Sequence, residues 1–318
     1  VLAAKKYNLQ GIISYNTYSS GEMKDCKFDK YNEIVIGEQS FIPSYKKPDE
    51  RKKDNKAIAF YENGNIKSIA LEERKEVSTS IGIICAELIT FYEDGKVDSL
   101  FPLNGQIGFG WSEEDEEQLL EELNFDFPFA SFKTKIIGIR FYSSGSLKSL
   151  ILWPKKRIDI NTPIGIYPAR IGFRLYEDGS LESFEPAVPV EIESSIGTVI
   201  AFDQNAIGMD ADFNSVRFYP DGRLQSLSTN SDIVVNTKSV TERTIIYQQL
   251  RLDMLTNEMV KVPIIISFYQ NQVTIDNAVE KQTFSICDSK FLFLHDGSYM
   301  EKKCSPGSDC SGCGASCM

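Results

Sequence analysis

Ten residues, "FYEDGKVDSL" at 91–100, recur with small changes along the chain. The copies are "FYENGNIKSI" at 60–69, "FYSSGSLKSL" at 141–150, "LYEDGSLESF" at 175–184 and "FYPDGRLQSL" at 218–227. An earlier degenerate copy is "TYSSGEMKDC" at 17–26. Later "FYQNQVTIDN" at 268–277 lacks the glycine, and "FLHDGSYMEK" at 293–302 keeps it. The shared order is aromatic, Tyr, two turn residues, Gly, any residue, apolar, any residue, Ser, apolar. Strand-forming residues flank each Gly, so each copy reads as a β-hairpin.

The turn type follows from one copy. Pro220 precedes Asp221 and Gly222. Proline fixes φ near −65° and carries no N–H, which suits the second position of a type I turn. Gly222 then takes the left-handed conformation of a G1 bulge. A two-residue turn would instead put Pro220 at a ladder position that needs its missing donor. The three-residue loop makes Tyr219 face Arg223 and Phe218 face Leu224. Alternation then predicts one face of Val216, Phe218, Leu224 and Ser226, and an opposite face of Arg217, Tyr219, Arg223 and Gln225. The copy at 141–150 sorts likewise, with Ile139, Phe141, Leu147, Ser149 and Ile151 against Arg140, Tyr142, Ser146 and Lys148.

A second mark alternates with the first: "TSIG" at 79–82, "TPIG" at 162–165, "SSIG" at 194–197 and a looser "FPFA" at 127–130. The unit is therefore strand, IG turn, strand, DG turn, with a period near 32 to 34 residues, the mark of a repeat array. The expected fold is all-β: an extended antiparallel β-meander of repeated hairpins, with one short acidic helix inserted. The array is expected over 1–303, with insertions near 44–56, 111–123 and 203–214, followed by a Cys-rich tail at 304–318. The stretch 44–56 reads as a solvated, mixed-charge linker. "WSEEDEEQLLEEL" at 111–123 reads as the helix, with Ser112 as N-cap and a solvated acidic face. The stretch 203–214 reads as a loop.

The string Tyr-x-x-Gly-x-apolar-Lys-Ser, clearest in "YENGNIKS" at 61–68 and "YSSGSLKS" at 142–149, resembles MORN-type repeats, in particular the variant in bacterial YwqK-like antitoxin proteins. The resemblance covers the hairpin cores from about residue 17 to 227. It implies hairpins that stack into an array. The longer unit, including "FPLNGQIGFGWSEEDE" at 101–116, is also similar to a family of bacterial repeat proteins, which implies a fold and no function.

Charge narrows the partners. Lys and Arg number 34 against 45 Asp and Glu, a net charge of −11. That argues against nucleic acid and anionic membrane surfaces, which reward clustered cations. No apolar run approaches the roughly 20 residues a spanning helix needs. The N-terminal "VLAAKKYNLQ" lacks the apolar core of a signal peptide, and a cytoplasmic location is expected. One histidine, His295, lies in a hairpin turn, and no nucleophile elbow or phosphate-cradling loop is present, so no enzyme is expected.

Two candidate sites remain. Tyr61, Tyr92, Tyr142, Tyr176 and Tyr219 hold equivalent places on the polar face, and stacking would align them. They form either a groove for a protein or peptide partner or a structural ladder. Cys304, Cys310, Cys313 and Cys317 crowd the tail "CSPGSDCSGCGASCM". Four thiolates among Gly and Ser can close around zinc or an iron–sulfur cluster, can be substrates for peptide-modifying enzymes, or can be free of any fixed ligand. Cys26, Cys85 and Cys287 read as single, reduced, buried thiols. The alternative function is accordingly a metal-binding, redox-active or modified Cys tail carried by the β array.

Overall fold

The structure is a computed structural model that describes residues 2–47, 51–52, 56–107, 111–206, 214–238, 243–254 and 257–294. The decapeptides fold as the sequence predicts. In the six copies from Gly21 to Gly222, the glycine N–H donates to the tyrosine carbonyl, and the tyrosine N–H donates to the carbonyl after the glycine. For the Gly64 hairpin these are Gly64 to Tyr61 at 2.9 Å and Tyr61 to Asn65 at 2.7 Å. Gly21, Gly64, Gly95, Gly145, Gly179 and Gly222 all have φ between 79° and 90°. This is the type I turn with a G1 bulge.

Six glycine hairpins pair side by side in chain order, and a seventh hairpin and a last strand complete the main sheet. Their strands are Ile12–Thr17 and Met23–Phe28; Ile58–Phe60 and Ile66–Thr79; Gly82–Phe91 and Val97–Phe101; Ile136–Phe141 and Leu147–Leu152; Gly165–Leu175 and Leu181–Pro186; Val216–Phe218 and Leu224–Thr229; Ile264–Tyr269 and Gln272–Asp276; then Lys281–Ser285. With Ile158–Thr162 paired onto Gly165–Leu175, sixteen strands form one antiparallel meander.

The register holds a second irregularity that departs from simple alternation. Phe218 faces Leu224 as predicted, but Arg217 faces Ser226 and Val216 faces Leu227. Gln225 is therefore bulged, and Ser226 sits opposite the polar strand residue rather than beside Phe218. The same correction holds at 141–150, where Lys148 is bulged, Arg140 faces Ser149 and Ile139 faces Leu150. Lys24, Lys67, Asp98 and Glu182 are bulged in the other copies. A bulge adds one residue and restores both apolar residues of the strand to one side. Hence Ile66 and Ile69, three apart, are both buried.

That side is core. A row of direct cross-strand partners runs Cys26, Ile58, Ile69, Ile89, Leu100, Ile139, Leu150, Phe173, Phe184, Val216, Leu227, Ile266, Ile275. All are essentially inaccessible to solvent. The segments between glycine hairpins fold over this side. They include the hairpins Leu123–Phe127 with Ala130–Thr134, Ile158–Thr162 with Gly165–Leu175, and Val190–Ser194 with Gly197–Ala201. Phe127, Phe129 and Phe132 meet the Phe173 ring edge-on at 5.6, 5.0 and 6.3 Å.

The "IG" marks are the tips of these hairpins. Thr162 pairs with Gly165 across Pro163 and Ile164. Its hydroxyl donates to the Gly165 carbonyl at 2.7 Å and accepts from the Ile164 N–H at 3.2 Å. Thr79 and Ser194 repeat both bonds, which explains Thr or Ser at the first position. One strand passes from covering layer to main sheet at Ile171–Gly172. A Cβ on Gly172 would lie 2.0 Å from the Leu150 carbonyl oxygen, so only glycine fits.

The inserted acidic helix is present, at Glu113–Gln118, and a second short helix, Leu2–Lys6, lies before the first strand. Several details differ from the expectations. The acidic helix is shorter than 111–123 because Leu123 already starts a strand. Ser112 caps it as expected, in a capping box with Asp115. Its face is not wholly solvated. Glu116 is buried and binds Arg51 Nε at 2.8 Å and Trp111 Nε1 at 2.6 Å. Arg51 also grips Glu87 through two bonds of 3.1 and 2.8 Å. The described part of 44–56 is thereby anchored rather than a free linker. Finally, Cys26 is buried and burial pushes its thiol up to about 12, but Cys85 is half-buried and Cys287 is exposed, because it lies in a turn.

Candidate functional site

The face opposite the core is built on a second unbroken row of cross-strand partners. It runs Asn16, Asp25, Ala59, Ser68, Thr90, Ser99, Arg140, Ser149, Arg174, Ser183, Arg217, Ser226, Ser267, Thr274, Thr283. The conserved spelling of the decapeptide supplies the serines. The first strand of each hairpin supplies the variable member.

The serine row is also the last ladder pairing between one hairpin and the next. One residue beyond it, each first strand ends in a carbonyl past its last ladder partner on that side. The tyrosine hydroxyl of the preceding hairpin donates to that carbonyl. Tyr61 reaches Phe91, Tyr92 reaches Phe141, Tyr142 reaches Leu175, Tyr176 reaches Phe218 and Tyr219 reaches Phe268, all at 2.7 to 2.8 Å. Tyr18, which the sequence reading left out, makes the same bond to Phe60 at 2.7 Å. Its presence before Gly21 in the degenerate copy was the signal. A strand-end carbonyl that would otherwise need water is thus satisfied by the neighbouring repeat.

All five predicted tyrosines are brought into one row, half-buried, with their hydroxyls engaged within the array. Burial holds the hydroxyls of Tyr61, Tyr92, Tyr142 and Tyr176 above the ordinary phenol value. Nearby acids, Asp98 for the first two and Glu182 for the others, add to it. What the row presents outward is ring surface and charge. Bulged Lys24, Lys67 and Lys148 lie over the rings of Tyr18, Tyr61 and Tyr142 at 6.0, 5.6 and 5.6 Å. Arg223 lies over Tyr219 at 5.7 Å. Bulged Glu182 accepts from Arg174 at 2.7 Å and Arg217 at 2.6 Å, bridging adjacent repeats. This arrangement can hold a strand or side chains by stacking and charge.

The cysteine quartet Cys304, Cys310, Cys313 and Cys317, and His295, lie outside the described residues. Among the described residues, no group of three or more His, Cys, Asp or Glu side chains is placed to hold a metal ion. No helix among them is long and apolar enough to cross a membrane.

The sequence model of a family described as the MORN repeat variant matches residues 53–71. That span contains the turn and much of the strand pairing of the Gly64 hairpin, whose geometry the other glycine hairpins repeat. No curated protein and no solved structure matches the chain.

Proposed function

We propose that the protein is a non-enzymatic scaffold that binds a protein or peptide partner along the tyrosine-bearing face. The observation that supports this most is the unbroken polar row with its parallel tyrosine row, a long surface made from short units. The MORN-type match at 53–71 fits such a role, since it falls on one of the repeated units. The rings, not the hydroxyls, are the contact groups, because each hydroxyl already serves the next repeat.

The test is capture of a partner by the wild-type chain and by variants. A partner should stay bound to Tyr142→Phe, which keeps the ring, and should be lost from Tyr142→Ala combined with Tyr176→Ala. If every captured protein binds the alanine variant equally well, the reading has no support.

A further inference from the structure

The main sheet ends on two edges, and they are not alike. The last strand, Lys281–Ser285, begins with an exposed lysine, a common guard against edge pairing. The first strand, Ile12–Thr17, reads IISYNT, with no charge and no proline. Its residues 13–17 are all exposed, Ile13 at 60% and Tyr15 at 57%.

The repeats show which of its backbone groups point outward. Tyr15 pairs with Cys26 as Ile139 pairs with Leu150. Ile139 also pairs outward with Leu100 of the preceding hairpin, and the Phe141 carbonyl accepts from Tyr92. Tyr15 and Thr17 hold the same two places, on a strand that closes the sheet. Among the described residues no side chain donates to the Thr17 carbonyl. The outward N–H and C=O groups of this strand form a template for one more strand.

Strand direction selects the partner. Sixteen strands less the one paired off the path leave fifteen in series, each antiparallel to the next, so the first and last run the same way. Copies joined first strand to last, with core sides matched, would meet in parallel, as no described pairing in this sheet does. Two first strands related by a two-fold axis normal to the sheet meet antiparallel, core side beside core side. Charge agrees. Two chains of net charge −11 repel, and a strand without charge is where they approach at least cost.

We propose that the Ile12–Thr17 edge binds a second copy of the chain, strand against strand, with the two-fold axis at Tyr15. Tyr15 exchanges both backbone hydrogen bonds with its own counterpart. Ser14 lies opposite Asn16 of the second copy, and Thr17 opposite Ile13 of the second copy. The two Tyr15 rings meet on the core side, where the buried row ends at Cys26. Six residues of strand bury well under the roughly 1,000 Å² of a lasting interface, so the dimer is weak and reversible. This goes beyond the scaffold reading and does not depend on it.

The test is sedimentation of the full chain from about 1 to about 500 μM, with hydrogen exchange read by mass spectrometry at both ends of that range. The average mass should rise from one chain toward two and no further. Amides of 12–17 should gain protection at the high concentration, and those of 281–285 should not. Tyr15→Lys, which sets two ammonium groups against each other at the axis, should weaken association at least about tenfold. Tyr15→Pro, which deletes the outward N–H without adding charge, should do the same. Tyr15 is exposed on an edge, so both variants should keep the wild-type circular dichroism spectrum. Lys281→Glu should associate as the wild type does. The proposal is overturned if the mass stays that of one chain throughout or grows past two. It is equally overturned if protection falls on 281–285 instead of 12–17, or if neither Tyr15 variant weakens association.

Discussion

The two halves of the polar face share one backbone and differ at two positions per hairpin, the residue before the aromatic and the bulged residue. In the later hairpins the variable member of the row is Arg140, Arg174 or Arg217, and Glu182 ties two of these together. In the Gly64 and Gly95 hairpins the same place holds Ala59 and Thr90. There a cleft of about 220 Å³ remains between Tyr18 and Tyr61, with Lys24, Lys67 and Asp98 around it. The serine row, the tyrosine clasp and both bulges are unchanged. A repeat therefore separates what builds the sheet from what dresses it. Aromatic, Tyr, Gly and Ser are structural, and the residue before the aromatic, together with the bulged residue, decides whether the face is closed by ion pairs or left open.

The largest effect should come from breaking the closed half. Glu182→Ala leaves two partly buried guanidinium groups without their shared carboxylate, at a cost of about 4 kcal/mol. Asp98→Ala in the open half should cost under about 1 kcal/mol. Chemical denaturation of the two variants checks the contrast, and equal losses would dissolve it.

Next comes pH. Beneath the closed half, Glu185 is fully buried, with Ser215 N–H on Oε2 at 2.8 Å and Arg170 at 3.7 Å. Burial outweighs these donors and pushes its carboxyl up to about 7. In the unfolded chain the carboxyl ionises near its ordinary value, while the folded state keeps the proton. Stability should therefore fall as pH rises from about 4.5 to 7, by up to about 3 kcal/mol, and be level above that. Glu185→Gln should flatten the decline. A decline of the same size in that variant would remove Glu185 as its source.

Smaller still is the clasp common to both halves. Tyr92→Phe and Tyr176→Phe should each cost about 1 kcal/mol, the net value of a neutral hydrogen bond. Their equality in thermal melts is the point of the measurement, since unequal losses would mean the halves differ in backbone as well as dress. The smallest effect should be Lys67→Ala, which removes an exposed ammonium from the open cleft. Stability should change by less than about 0.5 kcal/mol in the same melts, as for most surface substitutions.

Much of the scaffold was legible before the structure. Pro220 and the DG pairs dictate the turn and Ser112 dictates the helix start, because these signals are local and stereochemical. The second bulge was also written in the sequence, as apolar residues three apart, such as Leu147 and Leu150 or Leu224 and Leu227. Strict alternation absorbs that spacing and misplaces Ser149 and Ser226. The tyrosine row was legible, but not its bonds, since a carbonyl beyond the end of a ladder leaves no trace in the side-chain pattern. Arg51 and Glu116, 65 residues apart, had no sequence signature at all. Charge pairing at that distance is settled only once the covering segments have chosen where to lie.

The tyrosine clasp makes every seam between hairpins alike. Each donor meets an oxygen in the same position, whether the host residue is Phe91, Leu175 or Phe268. A hairpin excised together with its trailing segment would leave a junction of the kind already present on either side of the cut. At the clasp, then, whole modules are interchangeable, and what would resist duplication or deletion is the pairing peculiar to one place, such as Arg51 with Glu87 and Glu116.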